Sequence, residues 1–266
     1  MTAGMAGLDL DALLALALAA GRAGGEIVGA AFGNPREVQS KAPGDWVSVT
    51  DTASERAVRA VLTDGAPSIP VFGEEEGGER AELGWLVDPL DGTTNFLHGY
   101  PVVGVSIALV ADHTPLVAVV HAPMLATTYT AIAGGGARCN NAAVRVGTRP
   151  VEAAVCATGF PFRAKARLLD GYFPVFRRAL STFEDLRRAG SASLDLSWTA
   201  AGVYDGYFEQ ALGPWDVAAG ALLVREAGGV VTDWQGDPDA WLDSGDIAVG
   251  PAHVHEQILD CIARPA

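Results

Sequence analysis

Three groups of acidic residues have the types and spacing to do chemistry on an anion. Gly73-Glu74-Glu75 follows an apolar run at 69–72, and Asp88-Pro89-Leu90-Asp91-Gly92-Thr93-Thr94-Asn95-Phe96 follows another at 85–87. Trp215-Asp216 opens an Ala-rich apolar stretch. Carboxylates at the ends of strands in one sheet can converge at one edge. Such hard oxygen ligands suit Mg²⁺, which favours octahedral geometry and keeps some of its waters. Asp88 and Asp91 bracket a proline and can both face one site, with the Leu90 carbonyl turned inward. Gly92 permits a tight backbone, and the free N–H groups that open the next helix form an anion nest. A phosphate there would lie between backbone donors and cations, the arrangement that stabilises in-line phosphoryl transfer. Each group alone has a plainer role: residues 74–79 as a solvated acidic loop, 88–95 as an Asx-turn and helix cap, Asp216 as a cap. Their joint occurrence favours the metal site.

Other sequence features exclude alternatives. Eighteen basic against thirty-two acidic residues give a formal charge of -14, which repels nucleic acid over most of the surface. If the ligand is an anion, a bound divalent cation is the simplest local reversal of sign. Cys139, Cys156 and Cys261 show no zinc spacing and read as free thiols in a reducing cytoplasm. The five histidines share no ligand spacing with the carboxylates, and His253 and His255 are expected on an exposed terminal helix. The Asp-rich stretch 237–246 lacks the spacing of a calcium loop and reads as a surface loop. No GxGxxG or GxxxxGK[ST] nucleotide motif is present, and Gly134-Gly135-Gly136 reads as a hairpin turn.

The elements that must position these groups alternate. The Leu/Ala-rich segment 13–20 looks like a signal-peptide core, but no Lys or Arg precedes it and Asp9 and Asp11 do. It is also too short to span a bilayer, so an amphipathic helix over 8–32 is expected. Next come a strand at 37–41, a turn at 43–45 and a helix to 62 capped by Thr50 or Asp51, with Glu55 in its first turn. Strands at 69–72, 85–87, 102–110, 116–121 and 127–133 suit a central sheet covered on both faces. Then follow strands at 153–158, 186–188, 204–209, 230–232 and 247–249. Helices are expected at 165–180, where Pro174 is a potential disturbance, and at 193–201, 217–227 and 253–263. This pattern predicts one α/β (α+β) layered domain over 1–266. Its N-terminal half, about 1–150, carries most of the metal ligands, and its C-terminal half, about 151–266, carries Asp216.

At these residues the chain resembles the inositol monophosphatase family, within the wider group of lithium-sensitive, metal-dependent phosphatases. Residues 41–51 (KAPGDWVSVTD), 73–75, 88–96 and 215–229 (WDVAAGALLVREAGG) carry the likeness, in order along nearly the whole chain. The resemblance implies an αβαβα sandwich of the inositol monophosphatase / fructose-1,6-bisphosphatase type, a homodimer, and two or three Mg²⁺ ions. It implies that Glu74, Asp88, the Leu90 carbonyl, Asp91 and Asp216 hold the ions, Glu75 supporting one through its waters. Thr93, paired with Asp51, would orient and help deprotonate the attacking water, with Glu74 also in the catalytic set. Lys41, Asp91, the Gly92 and Thr93 amides, Gly190, Ser191, Ala192, Glu209 and Asp216 would contact a small phosphate monoester. Thr94 stands where relatives acting on histidinol phosphate or phosphoadenosine phosphates tend to carry Lys, which favours the inositol monophosphate branch. Glu76 is a departure that adds negative charge beside the metal loop. The expected protein is a cytoplasmic phosphatase with no nucleic-acid or membrane partner. Its rivals are a fructose-1,6-bisphosphatase, a histidinol-phosphatase or a phosphoadenosine-phosphate phosphatase on the same scaffold, and a catalytically silent metal-binding regulatory protein.

Overall fold

A computed structural model describes residues 7–35, 37–42 and 45–263. The first layer begins with α1 (Leu10–Ala31), capped by Asp9, whose side chain accepts from the Ala12 amide at 3.0 Å. By length and composition α1 could cross a membrane, yet here its buried stripe of Ala17, Ala20, Gly21, Gly24, Gly25 and Val28 lies on protein. A Cβ at Gly25 would sit 2.4 Å from the His121 ring, so the small residues set how closely α1 approaches the sheet. β1 (Gln39–Ala42) and β2 (Asp45–Val47) pair antiparallel. Pro43 and Gly44 of the expected turn lie outside the described residues. Helix α2 (Val49–Gly65) starts earlier than expected. Ser48 is its cap, and Asp51 sits at the third helical position, reaching back to the Ser48 amide in a capping box.

A seven-stranded sheet follows, in the order β3 (Val71–Gly73), β4 (Leu83–Asp91), β5 (Gly104–Ala111), β6 (Thr114–Ala122), β7 (Thr127–Ile132), β8 (Gly136–Cys139) and β9 (Ala142–Ala143). β3 and β4 run parallel, and every other neighbouring pair in the sheet is antiparallel. The hairpins at Gly134–Gly135 and Asn140–Asn141 fall where the turn residues put them. The short helix α3 (Thr93–Leu97) leaves the end of β4. β4 runs further than its apolar core suggested. Its register with β5 slips between Asp88 and Asp91, and Pro89, which has no N–H to donate, occupies that irregular stretch.

The second half supplies β10 (Val155–Thr158), α4 (Lys165–Thr182), β11 (Asp185–Arg187), α5 (Ala192–Ala200), β12 (Gly206–Glu209), α6 (Pro214–Glu226), β13 (Val230–Thr232), α7 (Trp241–Ser244), β14 (Ile247–Gly250) and α8 (Ala252–Ala263). Pro174 lies within α4 without ending it. Five strands form a mixed sheet, ordered β11-β10-β12-β14-β13. α1 and α2 cover one face of the large sheet, α5 and α6 fill the space between the sheets, and α4 and α8 cover the outer face of the small one. This is the expected αβαβα sandwich. One apolar cluster lies between α1, α2 and the large sheet, another between the two sheets, and a third under α4 and α8.

Two further expectations need correction. The 237–246 stretch is not only surface loop, because α7 buries Trp241 and Leu242 there. His255 is 6% exposed, its Nε2 within 2.8 Å of the Thr232 hydroxyl, whereas His253 is exposed as expected. α8 lays its apolar side on the small sheet, and position 255 falls on that side.

Candidate active site

Each acidic group is held by a different element. The Glu74 loop is fixed from α2. Glu55, fully buried, accepts from the Glu75 amide at 2.7 Å and the Glu76 amide at 3.1 Å. Arg59 donates to Glu55 at 2.8 Å, to the Val71 carbonyl at 2.9 Å and to the Gly77 carbonyl. A Cβ on Gly73 would lie 2.3 Å from Glu55 Oε1, so glycine lets the loop close over the carboxylate. Glu76 is paired outward with Arg56 at 2.7 Å.

The end of β4 delivers Asp88 and Asp91, which are 1% and 8% exposed. Asp88 Oδ1 accepts from the Leu90 amide at 3.0 Å. Asp91 Oδ2 accepts from the Ser191 hydroxyl (2.6 Å), the Ser193 amide (2.7 Å) and the Ser193 hydroxyl (2.5 Å). Gly92 has φ +91° as α3 begins. The Thr93 hydroxyl is 3.0 Å from Asp51 Oδ1 and 3.1 Å from the Leu90 carbonyl. It has one proton and can serve only one acceptor at a time. Asp51 Oδ2 already accepts from the Ser48 amide (2.8 Å) and hydroxyl (2.6 Å). The capping box therefore leaves Oδ1 for Thr93. Asp216 comes from the first turn of α6, where it accepts from the Gly213 amide at 2.6 Å. Its neighbour Trp215 lies against Phe72, the residue before Gly73, with ring centroids 5.8 Å apart.

These elements bring ligand atoms of Glu74, Asp88 and Asp216 within 4.8 Å of one another. Burial, and then the charges of Glu74, Asp91 and Asp216, push the Asp88 carboxyl well above its ordinary value. Burial and Asp216 push Asp91 up to about 6 against the pull of its serine donors. Burial also raises Asp51, against its hydrogen bonds from Ser48 and Thr93. Clustered buried carboxylates are unfavourable when ionised together, and a divalent cation reverses that. The all-oxygen donor set fits Mg²⁺.

A cleft opens above this floor, lined by Glu74, Asp88, Leu90, Asp91, Gly92, Thr93, Gly190, Ala192, Glu209 and Asp216 among others. Thus most of the residues singled out in the sequence meet at one place. Asp51 sits behind Thr93. Ser191 is 1% exposed beneath the floor, its hydroxyl turned to Asp91. Lys41 is in β1, and its side chain lies outside the described residues. Glu209, at the end of β12, accepts from Tyr207 and is pushed up to about 7, chiefly by burial. A Cβ on Gly159 would lie 1.9 Å from its carboxyl, so the residue just after β10 must be glycine.

Sequence reasoning missed the Glu55–Arg59 brace, Ser193, Arg188 and Asp195. Asp195 is 1% exposed in α5, its Oδ1 has no hydrogen-bond partner, and burial holds it well above the carboxylate range. Its only sequence signal is one acid in an otherwise apolar and small-residue helix.

Residues 9–264 match the profile of the inositol monophosphatase family. The chain is 40% identical over 262 residues to the Nus factor SuhB of Pseudomonas aeruginosa, covering 95% of this chain and 96% of that one. It is 42% identical over 234 residues to the inositol-1-monophosphatase of Rhizobium meliloti, covering 86% and 87%. Among solved structures, the extragenic suppressor protein SuhB of Bartonella henselae superposes with a TM-score of 0.90 at 35% identity, over 96% of this chain and all of that one. The inositol monophosphatase of Anabaena gives a TM-score of 0.86 at 31% identity, over 96% of both chains. The chain belongs to the inositol monophosphatase family.

Proposed function

We propose that this protein is a Mg²⁺-dependent phosphomonoesterase that releases phosphate from inositol monophosphate or a similar small polyol or sugar phosphate. The observation that carries the reading is the convergence of Glu74, Asp88 and Asp216 beside a hydrogen-bonded Thr93–Asp51 pair. In this reading Glu74, Asp88, the Leu90 carbonyl, Asp91 and Asp216 hold two or three ions, with Glu75 in support. Bound Mg²⁺ would supply charge neutralisation for the phosphoryl group and a lowered pKa for water. The chain's own residues do the rest. Thr93 orients the attacking water, and its proton passes through the Thr93 hydroxyl towards Asp51. The Gly92 and Thr93 amides position the phosphoryl oxygens in line. Glu209 accepts a hydroxyl of the leaving alcohol. We include in the reading a homodimer in the cytoplasm.

The test is phosphate release from inositol 1-phosphate, fructose 1,6-bisphosphate, histidinol phosphate and phosphoadenosine phosphate, with and without Mg²⁺ and with added Li⁺. Mg²⁺-dependent release led by inositol 1-phosphate supports the reading. A preference for another ester keeps the mechanism and moves the substrate. The relatives named Nus factor support a second role, as a protein component of a larger assembly. A chain that binds Mg²⁺ and hydrolyses no ester of the panel would favour that role.

A further inference from the structure

One cation of the cleft wall has no part in the hydrolysis described above. Arg188 follows β11 and lies between two aromatic side chains and a glycine. Its guanidinium carbon is 4.8 Å from the ring centroid of Phe162 and 5.9 Å from that of Phe160. Both rings line the same cleft as the carboxylate floor. A Cβ on Gly190 (φ +86°) would lie 2.5 Å from Arg188 Nη1, so the absence of a side chain there leaves the space the guanidinium fills. Lys165 Nζ also lies against Phe162, at 4.7 Å from its centroid. Stacking occupies the face of a guanidinium and leaves its N–H edge available to a planar or tetrahedral anion.

Arg56, Arg59, Arg80, Arg149 and Arg187 each have a carboxylate within ion-pair distance. Among the described residues Arg188 has none, although Glu209 shares its cleft. The Glu209 carboxylate takes its hydrogen bond from Tyr207 instead. Arg188 is thus packed against Phe160 and Phe162 with no carboxylate in contact, although its charge works against the burial that raises the Glu209 and Asp195 carboxyls, in a chain whose net charge is -14. A stacked but solvent-exposed cation at the mouth of a cleft suits an anion that arrives with the ligand.

Resting on the phosphomonoesterase reading, we propose that Arg188 determines specificity by binding a second anionic group of the substrate, a phosphate or carboxylate remote from the ester that is cleaved. Within the polyol and sugar phosphates of that reading, the class that Arg188 adds is a doubly anionic small molecule, such as a sugar bisphosphate or a phosphorylated hydroxy acid.

The experiment compares kcat/KM for fructose 1,6-bisphosphate and 3-phosphoglycerate with that for inositol 1-phosphate, in the wild type, Arg188→Ala and Arg188→Lys. A charged hydrogen-bonded contact is worth about tenfold or more in binding. The ratio of doubly anionic to singly phosphorylated substrate should fall about tenfold in Arg188→Ala and recover in part in Arg188→Lys, through KM. The substrate that loses most tells phosphate from carboxylate. An equal loss on all substrates would assign Arg188 to the ester phosphate or to folding, and an unchanged ratio would leave it no role; either rejects the proposal. Should the wild type hydrolyse none of them, calorimetric titration with fructose 1,6-bisphosphate and inositol 1-phosphate in Mg²⁺ decides separately. Tighter binding of the bisphosphate that needs Arg188 keeps this inference while the hydrolytic reading falls; binding without that difference rejects it.

Discussion

At the scale of single residues, Asp51 shows how one side chain is shared between structure and chemistry. One of its oxygens closes the capping box on Ser48, and the other faces the Thr93 hydroxyl. Replacing it by Asn keeps an acceptor and a helix cap but removes the charge that would receive the water's proton. Asp51→Asn should lower kcat by about 10²- to 10⁴-fold, the usual worth of a positioned base, with Mg²⁺ affinity little changed. Steady-state kinetics beside calorimetric Mg²⁺ titration checks this; full turnover in the variant would remove Asp51 from the mechanism. The residues that were legible in the sequence belong to contiguous motifs, in which the spacing itself puts Asp88, Asp91, Gly92 and Thr93 in one turn. Those that were not legible act across long stretches of chain. Ser193 reaches Asp91 from 102 residues away. Arg188 gains its meaning only when Phe160 and Phe162 are folded beside it.

At the scale of elements, the sequence pattern and the structure agree wherever local periodicity and packing point the same way. The strands of the large sheet are nearly continuous apolar runs because both faces are covered. They part company where a tertiary contact decides a boundary. Helix α2 starts at Val49, behind the Ser48 cap, because Asp51 is used as the reciprocal cap, and β4 passes through Pro89 because the slipped register needs no donor there. The brace between α2 and the Glu74 loop is such a contact, and it makes a prediction. Glu55→Gln keeps the volume but replaces a charged acceptor of two loop amides and Arg59. Hydrogen bonds to a buried charge are worth about 1.5–3 kcal/mol. Because Arg59 is itself partly exposed, we expect a loss of about 2 kcal/mol in urea unfolding, together with weaker Mg²⁺ binding. Unchanged stability and unchanged metal affinity would show that the loop holds its shape without α2.

At the scale of the whole molecule, the site lies across the seam between the two sheets. Asp91 is fixed by Ser191 and Ser193, Asn95 donates to the Ala189 and Gly190 carbonyls, and Ser106 donates to the Trp215 carbonyl. α6 packs on both sheets. We therefore propose that 1–266 unfolds as one unit, with equal calorimetric and van't Hoff enthalpies; two separate heat peaks would divide it near residue 150. The same seam couples metal, proton and stability. In the unfolded chain Asp88 and Asp91 titrate near the ordinary value of 3.8, whereas the native fold pushes Asp91 up to about 6 and Asp88 higher than its ordinary value. Between about pH 4 and 6 the native state holds protons that the unfolded state has lost. Without metal, the contribution of Asp91 to stability is thus fully present below pH 4 and is lost as pH rises through 6, and Asp88 acts in the same direction. Asp185, lowered beside Arg187, acts in the opposite direction, but it contributes equally with and without the cation and cancels in the difference. A bound cation displaces these protons, so its affinity rises with pH over the same window. The rise in Tm on adding Mg²⁺ should therefore be larger at pH 8 than at pH 5. At a hundredfold excess over Kd the stabilisation is about 2.7 kcal/mol, or about 5–10 °C for a chain of this size. Scanning calorimetry at the two pH values measures it. Equal rises would mean that the carboxylates are already ionised in the metal-free fold, and that something other than a divalent cation keeps their charges together.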